Sequence, residues 1–344
     1  MGAHLGPCGN GIQRGRVPAS SLVTGGRGFV GAWLCRALLE RGDRVVSLDR
    51  PATDGRPSGL GLLGIADELA SVDADLLDGD SVSRALVEHQ VDTVFHLGAL
   101  TIVGTAASSP ASTFETNVRG TWTVLEACRR ADVERVVVAS SDKAYGAHDE
   151  LPYTEELALR PTAPYEASKA AADLIARSYW PSFGLPVAVT RFANVYGGGD
   201  ANYSRLIPEA VSAALDGRPP VLRSDGSPER DFLYMEDAAD AYLAIAGGLD
   251  RDEVRGEAFN AGGGRPYAVG EVVALIARLA GTGVEPDIRG AGSPAGEIDR
   301  QWVDPAKIEA LVGWRPRVSL EDGLRKTIEW YREHPAMRAP EPAG

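Results

Sequence analysis

The 344-residue chain carries only three cysteines, Cys8, Cys35 and Cys128, and five histidines. The cysteines lie far apart without CxxC spacing, which argues against a disulfide framework and against a zinc site. No His/Cys cluster points to another metal. Long apolar runs are missing too: none reaches the roughly 18 residues of a membrane span, and the first twenty residues lack the apolar core of a signal peptide. Positive charge is scarce. With 35 Lys and Arg against 48 Asp and Glu, the net charge is -13, so the chain lacks a nucleic-acid footprint and must meet any anionic ligand with local arginines. These absences lead us to expect a protein of the reducing cytoplasm with neither membrane nor nucleic acid as partner.

What is present is alternation. From about Ala19, short β-branched runs alternate with amphipathic stretches, the pattern of βαβ units around a parallel sheet. Strands are predicted at 21–24, 44–48, 70–74, 93–97, 135–139 and 186–191. The first helix carries Phe29, Trp33 and Ala37 on one stripe, with Val30, Leu34 and Leu38 beside it. After Tyr196 the texture changes, with Gly197-Gly198-Gly199, Pro219-Pro220 and helices predicted near 271–280, 305–311 and 320–331. Segments 231–234 and 258–261 read as short strands returning to the main sheet. The expected fold class is α/β, a doubly wound parallel sheet with a smaller, mostly helical C-terminal region.

Thr24-Gly25-Gly26-Arg27-Gly28-Phe29-Val30-Gly31 follows the first strand and opens the first helix, as a phosphate-binding turn requires. Gly25 permits the tight turn, Gly28 lets the backbone approach a pyrophosphate, and Gly31 lets helix and strand pack closely. The helix N-terminus at Phe29 and Val30 supplies amide donors and a positive dipole end. Asp49 ends the second strand where an acid binds an adenosine ribose diol, which favours NAD over NADP, although the adjacent Arg50 softens the preference. Asp75-Leu76, after the third strand, either bounds the adenine pocket or simply turns the chain.

Tyr165 and Lys169 fall four residues apart at the start of an Ala-rich helix and so share a face. An ammonium there favours phenolate, drawing the tyrosine below its ordinary value of about 10 towards the working pH of a general base. Ser141 can orient the same substrate oxygen. Asp142-Lys143 follows it directly, which suggests more than a simple dehydrogenase.

In this order the motifs TGGRGFVG (24–31), HLGA (96–99), TNVRGT (116–121), SSDKAYG (140–146), PYEASK (164–169), RFANVYG (191–197) and RDFLYMED (230–237) resemble the extended short-chain dehydrogenase/reductase family. The likeness is to its nucleotide-sugar epimerases and dehydratases and runs from about Ser20 to Tyr331. It implies NAD on an N-terminal domain at 18–194, with returning segments near 229–262, and a nucleoside diphosphate sugar held at 195–228 and 263–334. Residues 1–17 and 335–344 are expected to be tails. Matching positions put Leu97, Ala99 and Asn117 near the cofactor, and Asn194, Arg205, Arg230 and Arg300 near the sugar nucleotide. A homodimer through helices near 112–130 and 165–180 is also implied. Two departures stand out: Gly98 where the family has alanine, and Gly197-Gly198-Gly199 where a YGPG turn is usual. His96 reads as a strand-end histidine satisfied by hydrogen bonds.

The resemblance extends to the chemistry. In thymidine-linked glucose 4,6-dehydratases the acid and base pair is Asp-Glu; an Asp-Lys pair resembles CDP-glucose 4,6-dehydratases and inverting UDP-N-acetylglucosamine dehydratases. Simple 4-epimerases usually have small or apolar residues there. In a dehydratase, Tyr165 takes the C4 hydroxyl proton as hydride passes to NAD, the ketone acidifies C5–H, water leaves from C6, and hydride returns to C6. Lys143 must then be neutral and Asp142 protonated, whereas an ion pair between them would make the pair structural. A 4-epimerase needs only Ser141, Tyr165, Lys169 and NAD, and a non-enzymatic NAD-binding protein is a third reading. Residues recognising the base should lie near 202–207 and 219–224. The residues themselves do not distinguish the bases, although the Asp-Lys pair leans to cytidine.

Overall fold

The computed structural model describes residues 19–51, 57–292 and 298–339; the expected tail at 1–17 lies outside them. Six strands fall within one residue of their predicted ends: β1 (Ser20–Thr24), β2 (Arg44–Asp49), β3 (Ala70–Asp73), β4 (Thr93–His96), β5 (Arg135–Ala139) and β6 (Val187–Phe192). After them come β7 (Asn194–Tyr196), β8 (Val221–Leu222), β9 (Glu229–Arg230), β10 (Phe232–Tyr234), β11 (Ala258–Ala261), β12 (Tyr267–Ala268), β13 (Asp287–Ile288) and β14 (Arg300–Gln301).

Seven of these strands form one parallel sheet in the order β11-β6-β5-β4-β1-β2-β3. Side chains alternate between its faces. Leu22 packs with Val46, Val94, Val136 and Leu125, whereas its neighbour Val23 packs on the other face with Trp33, Phe95 and Tyr242. Because helices cover both faces, β1 and β4 are buried at every position, as parallel strands are. Each wholly buried leucine or valine contributes about 1.5–3 kcal/mol.

The strand order reverses between β1 and β4, which opens a crevice at their C-terminal ends. The glycine turn after β1 and the loop after β4 both face it. The predicted returns are half correct: β11 joins the large sheet beside β6, but β10 pairs with β7 in a separate two-stranded sheet. Residues 194–196 draw Phe232–Tyr234 away because they form a strand of their own just past β6. A further core gathers Tyr196, Val211, Phe232, Tyr234, Ile276 and Tyr331 beneath this region.

Residues 335–339, expected as part of a tail, are held against the fold. Met337 is buried and accepts from the Tyr203 hydroxyl at 2.7 Å, and the Ala339 amide donates to Ser212 Oγ at 3.0 Å. Among the described residues no helix is long and apolar enough to cross a membrane, and no group of three His, Cys, Asp or Glu side chains is placed to hold a metal. Cys35 and Cys128 are buried free thiols.

Candidate active site

Gly25 takes a φ of +76°, and a Cβ there would meet Gly98 Cα at 2.9 Å. A Cβ on Gly98 would in turn strike Leu76 Cδ1 at 2.9 Å. Gly98 is therefore matched to Leu76 at the floor of the crevice, which explains the glycine in HLGA. A Cβ on Gly31 would fall 2.1 Å from Gly25 O. Gly28 is exposed and caps the helix Phe29–Glu40 without a side-chain hydrogen bond. The first amides of that helix, at Phe29 and Val30, have no intrahelical acceptor and are left for a ligand's oxygens.

Asp49 turns both carboxylate oxygens to the Arg27 amide, at 3.1 and 3.2 Å, and accepts from Ser47. Burial raises its pKa, against those hydrogen bonds. Asp75 caps its own turn, accepting from Leu77 N at 2.9 Å, and is exposed, while Leu76 is buried. Leu97 and Ala99 line the loop after β4, half-buried. The cradle, the free helix end and the strand-end acid fit a dinucleotide.

His96 is buried neutral. Thr121 donates to Asn117 O at 2.6 Å, so its oxygen accepts from His96 Nε2, leaving Nδ1 to accept from Thr24. Burial lowers its pKa to about 3, helped by the charge of Lys169. Asn117 lies in a π-helical segment, Glu115–Arg119, a form that recurs at functional positions. Its side chain clasps both backbone groups of Leu100 and donates to Ser168 Oγ at 2.9 Å. It thereby ties the loop after β4 to the tyrosine helix.

That helix, Pro164–Phe183, starts with proline at its first position and with Glu166 reaching back to the Thr162 and Ala163 amides. Tyr165 is 8% exposed and Lys169 is 6% exposed. Burial raises the Tyr165 pKa; the Arg205 guanidinium and the nearby Ser141 hydroxyl oppose the rise, and Asp142 adds to it. Lys169 instead donates to Ala139 O at 2.7 Å, and burial lowers it to about 8. Arg205 opposes the rise on the phenol, and the Lys169 ammonium is engaged by the end of β5.

Ser141 caps the short turn Asp142–Tyr145, accepting from Lys143 N at 3.2 Å and donating to Asp142 Oδ1 at 3.1 Å. Asp142 is 2% exposed, and its Oδ2 has no partner. Burial pushes its pKa up, against the charges of Lys143 and Arg230 and the Ser141 hydrogen bond. Among the described residues no ion pair joins Asp142 to Lys143.

A buried network, largely missed in sequence, holds this arrangement. Asp173, four residues beyond Lys169, binds Arg191 of β6 through two contacts, and Arg191 donates to Tyr145. Tyr145 donates to Asn260 of β11, which bonds Tyr153 O. The helical spacing of Tyr165, Lys169 and Asp173 was the available signal. Asp231 was also missed. It is fully buried, accepts from Gly263 N at 2.8 Å, leaves Oδ2 unpartnered, and rises to about 7, mainly through burial.

The residues expected to meet the sugar nucleotide are each held by neighbours. Asn194 donates twice to Asp231 O, and Arg205 pairs at 3.1 Å with Asp200, a buried acid. Arg230 donates to the Glu229 and Asp299 carbonyls. Arg300 is exposed, paired to Glu229 at 2.7 Å and stacked over Trp302. The glycine run fits against the C-terminal helix: a Cβ on Gly198 would enter the Trp330 ring at 2.3 Å, and Trp33 Nε1 donates to Gly198 O.

The chain is 34% identical to the dTDP-glucose 4,6-dehydratase DesIV of Streptomyces venezuelae, solved with NAD and TYD bound, with a TM-score of 0.83 over 93% of this chain and 99% of that one. The UDP-glucose 4-epimerase of Thermotoga maritima, solved with UDP-glucose, is 27% identical with a TM-score of 0.83, over 92% and 99% of the two chains. A trifunctional UDP-glucose 4,6-dehydratase/UDP-4-keto-6-deoxy-D-glucose 3,5-epimerase/UDP-4-keto-L-rhamnose-reductase of Arabidopsis thaliana is 32% identical over 92% of this chain. The chain spans about half the length, 48%, of that relative. The model of the family described as NAD dependent epimerase/dehydratase matches residues 21–262, and with this fold and this site the chain belongs to that family.

Proposed function

We propose that the chain is an NAD-dependent nucleoside diphosphate sugar 4,6-dehydratase. One observation carries the reading: Asp142 is buried beside Ser141 with one oxygen unpartnered and is not ion-paired to Lys143. A carboxyl whose pKa is raised by burial is poised as an acid. The Streptomyces venezuelae dehydratase supports the same chemistry.

In this reading the amides of Phe29 and Val30, with Gly25, Gly28 and Gly31, hold the pyrophosphate, and Asp49 takes the adenosine ribose. Leu76, Leu97, Ala99 and Asn117 bound the rest of the NAD site. When bound, NAD supplies a two-electron acceptor at C4 and the matching donor at C6. Tyr165 removes the C4 hydroxyl proton, with Ser141 orienting that oxygen and Lys169 and Arg205 supplying positive charge. Lys143 takes the C5 proton, exchanges it with solvent and returns a proton to C5, and Asp142 protonates the departing C6 hydroxyl. Asn194, Arg205, Arg230 and Arg300 meet the diphosphate, since arginine gives fixed paired donors to an anion in a protein of net charge -13. The active form is a homodimer, and the buried free thiols suit the reducing cytoplasm.

A 4-epimerase is the second reading, favoured by the equal TM-score of the Thermotoga maritima enzyme. Incubation in deuterated water with dTDP-glucose, UDP-glucose or CDP-glucose separates the two. Loss of one water with solvent deuterium at C5 is the dehydratase result and names the base. An isomer of unchanged mass without solvent deuterium would overturn it in favour of epimerisation.

A further inference from the structure

The loop from Gly197 to Arg205 is gripped by the last helix, Leu320–Glu333. A Cβ on Gly198 would enter the Trp330 ring at 2.3 Å, so the glycine lets that ring lie flush on the loop. The next residue of the helix, the wholly buried Tyr331, donates its hydroxyl to Asp200 O. Tyr203 donates to Met337 O at 2.7 Å, just past the helix end. From the other side Trp33, on the helix that opens the dinucleotide cradle, donates to Gly198 O at 2.9 Å.

Asp200, thus fixed through its carbonyl, spends its carboxylate inside the same loop. It is 2% exposed; Oδ1 accepts from the Asn202 amide at 3.0 Å and Oδ2 from Arg205 Nη1 at 3.1 Å. The Arg205 amide donates in turn to Asn202 O at 3.0 Å, as Arg205 opens the helix Leu206–Leu215. The Arg205 side chain stays 36% exposed against 3% for that of Asp200. A guanidinium has five donors. Asp200 takes one from behind, and the exposed side of the group is left for an anion.

We infer that Asp200 is a positioning residue for the sugar nucleotide: it sets Arg205 in place before the diphosphate arrives, and Tyr331 sets Asp200. An arginine side chain has many rotamers, and ordering it in advance removes that cost from binding. The inference rests on the reading that Arg205 meets the diphosphate.

The sign of one substitution separates positioning from simple charge balance. If Asp200 only offset the charge of Arg205, removing its own charge would leave a more positive loop and tighten the hold on an anion. If it positions Arg205, the same change loosens that hold. Asp200→Asn suits the comparison, because its side-chain oxygen can still accept the Asn202 amide while its NH2 faces Arg205 as a second donor and ends the pair.

The test is calorimetric binding of UDP, CDP, dTDP, GDP and ADP to the NAD-loaded protein, followed by variants with whichever nucleotide the wild type holds. Asp200→Asn should weaken that binding by about 10-fold, the scale of one hydrogen bond to a charged group, with NAD content unchanged. Tyr331→Phe, which removes only the bond to Asp200 O, should weaken it in the same direction and by less. In an Arg205→Ala background either substitution should change the affinity by less than about 2-fold, because the partner it acts through is already gone. Equal or tighter binding by Asp200→Asn would overturn the inference. So would an undiminished loss in the Arg205→Ala background, or a parallel loss of NAD, since either would make Asp200 a support of the loop as a whole. If Asp200→Asn does not fold, Tyr331→Phe with and without Arg205 carries the same comparison. An Arg205→Ala protein that binds as wild type does, or a wild type that binds none of the five, would overturn the underlying reading and the inference with it, so those two measurements tell the failures apart.

Discussion

Asp173 and Arg191 form a two-pronged ion pair shielded from solvent, 2.7 Å from Nε to Oδ2 and 2.9 Å from Nη2 to Oδ1. One partner sits on the tyrosine helix and the other on β6, so the pair fixes that helix against the sheet. Breaking a buried pair on one side leaves an uncompensated charge, at a cost of about 3–5 kcal/mol. Asp173→Asn should lower unfolding stability by that order in urea titration. A loss near zero would mean that Arg191 finds its charge compensated elsewhere.

Lys143→Met keeps much of the stem but removes the proposed base. Dehydration should fall by about 10²–10⁴-fold, while oxidation at C4, read as reduced-nicotinamide absorbance on mixing with substrate, persists. If dehydration continues at the wild-type rate, the C5 proton is taken by another group.

Asp231 makes stability depend on pH with a definite sign. Burial lifts its carboxyl from an ordinary 3.8 to about 7, with Asp142 adding and the Gly263 amide opposing. A carboxyl that holds its proton more tightly when folded stabilises the fold fully below about pH 4, and that contribution is lost as the pH rises through 7. Asp231→Asn keeps an oxygen for Gly263 and removes the titration. Relative to wild type it should gain about 3 kcal/mol of stability between pH 5 and pH 8. Urea titrations at the two pH values check this, and an equal effect at both would refute it.

Gly31→Ala should cost both cofactor and stability, because its Cβ would lie 2.1 Å from a backbone oxygen that cannot rotate away. The purified variant should carry less bound nucleotide than wild type and melt at a lower temperature. Wild-type nucleotide content and melting temperature together would show that the turn can open.

The large sheet was legible because parallel strands buried on both faces read as short continuous apolar runs, and β1 to β6 do. The glycine turn and the tyrosine helix were legible because each lies within one stretch of chain. What escaped depends on contacts between distant segments. Phe232–Tyr234 has the same strand character as Ala258–Ala261, and only the position of Asn194–Tyr196 decides that it pairs outside the main sheet. Asp231 reads as an ordinary acid beside an arginine, and its burial arises from Gly262, Gly263 and Val303 closing over it. Arg205 could be guessed as an anion-binding residue. Its effect on Tyr165 required the fold, because Asp200 holds it from within the glycine-rich loop.

The last prediction concerns assembly. Phe114 lies on the helix Pro110–Phe114, Trp122 on the helix Gly120–Arg130, and Leu174 and Phe183 on Pro164–Phe183; all four are at least 41% exposed. These helices pack together on one side of the sheet, and large apolar side chains gathered in this way mark association surfaces rather than scattered exposure. Leu174 follows Asp173 directly but points away from the buried pair, 58% exposed, so a charge there should leave the internal network intact. In a two-fold dimer each substitution appears twice across a self-complementary face, which doubles its effect. Leu174→Glu should therefore turn a dimer into a monomer by light scattering after size exclusion, with the circular dichroism of the folded chain retained. A wild type that is already monomeric at micromolar concentration would remove the dimer from the proposal, while a Leu174→Glu dimer would move the interface to another face.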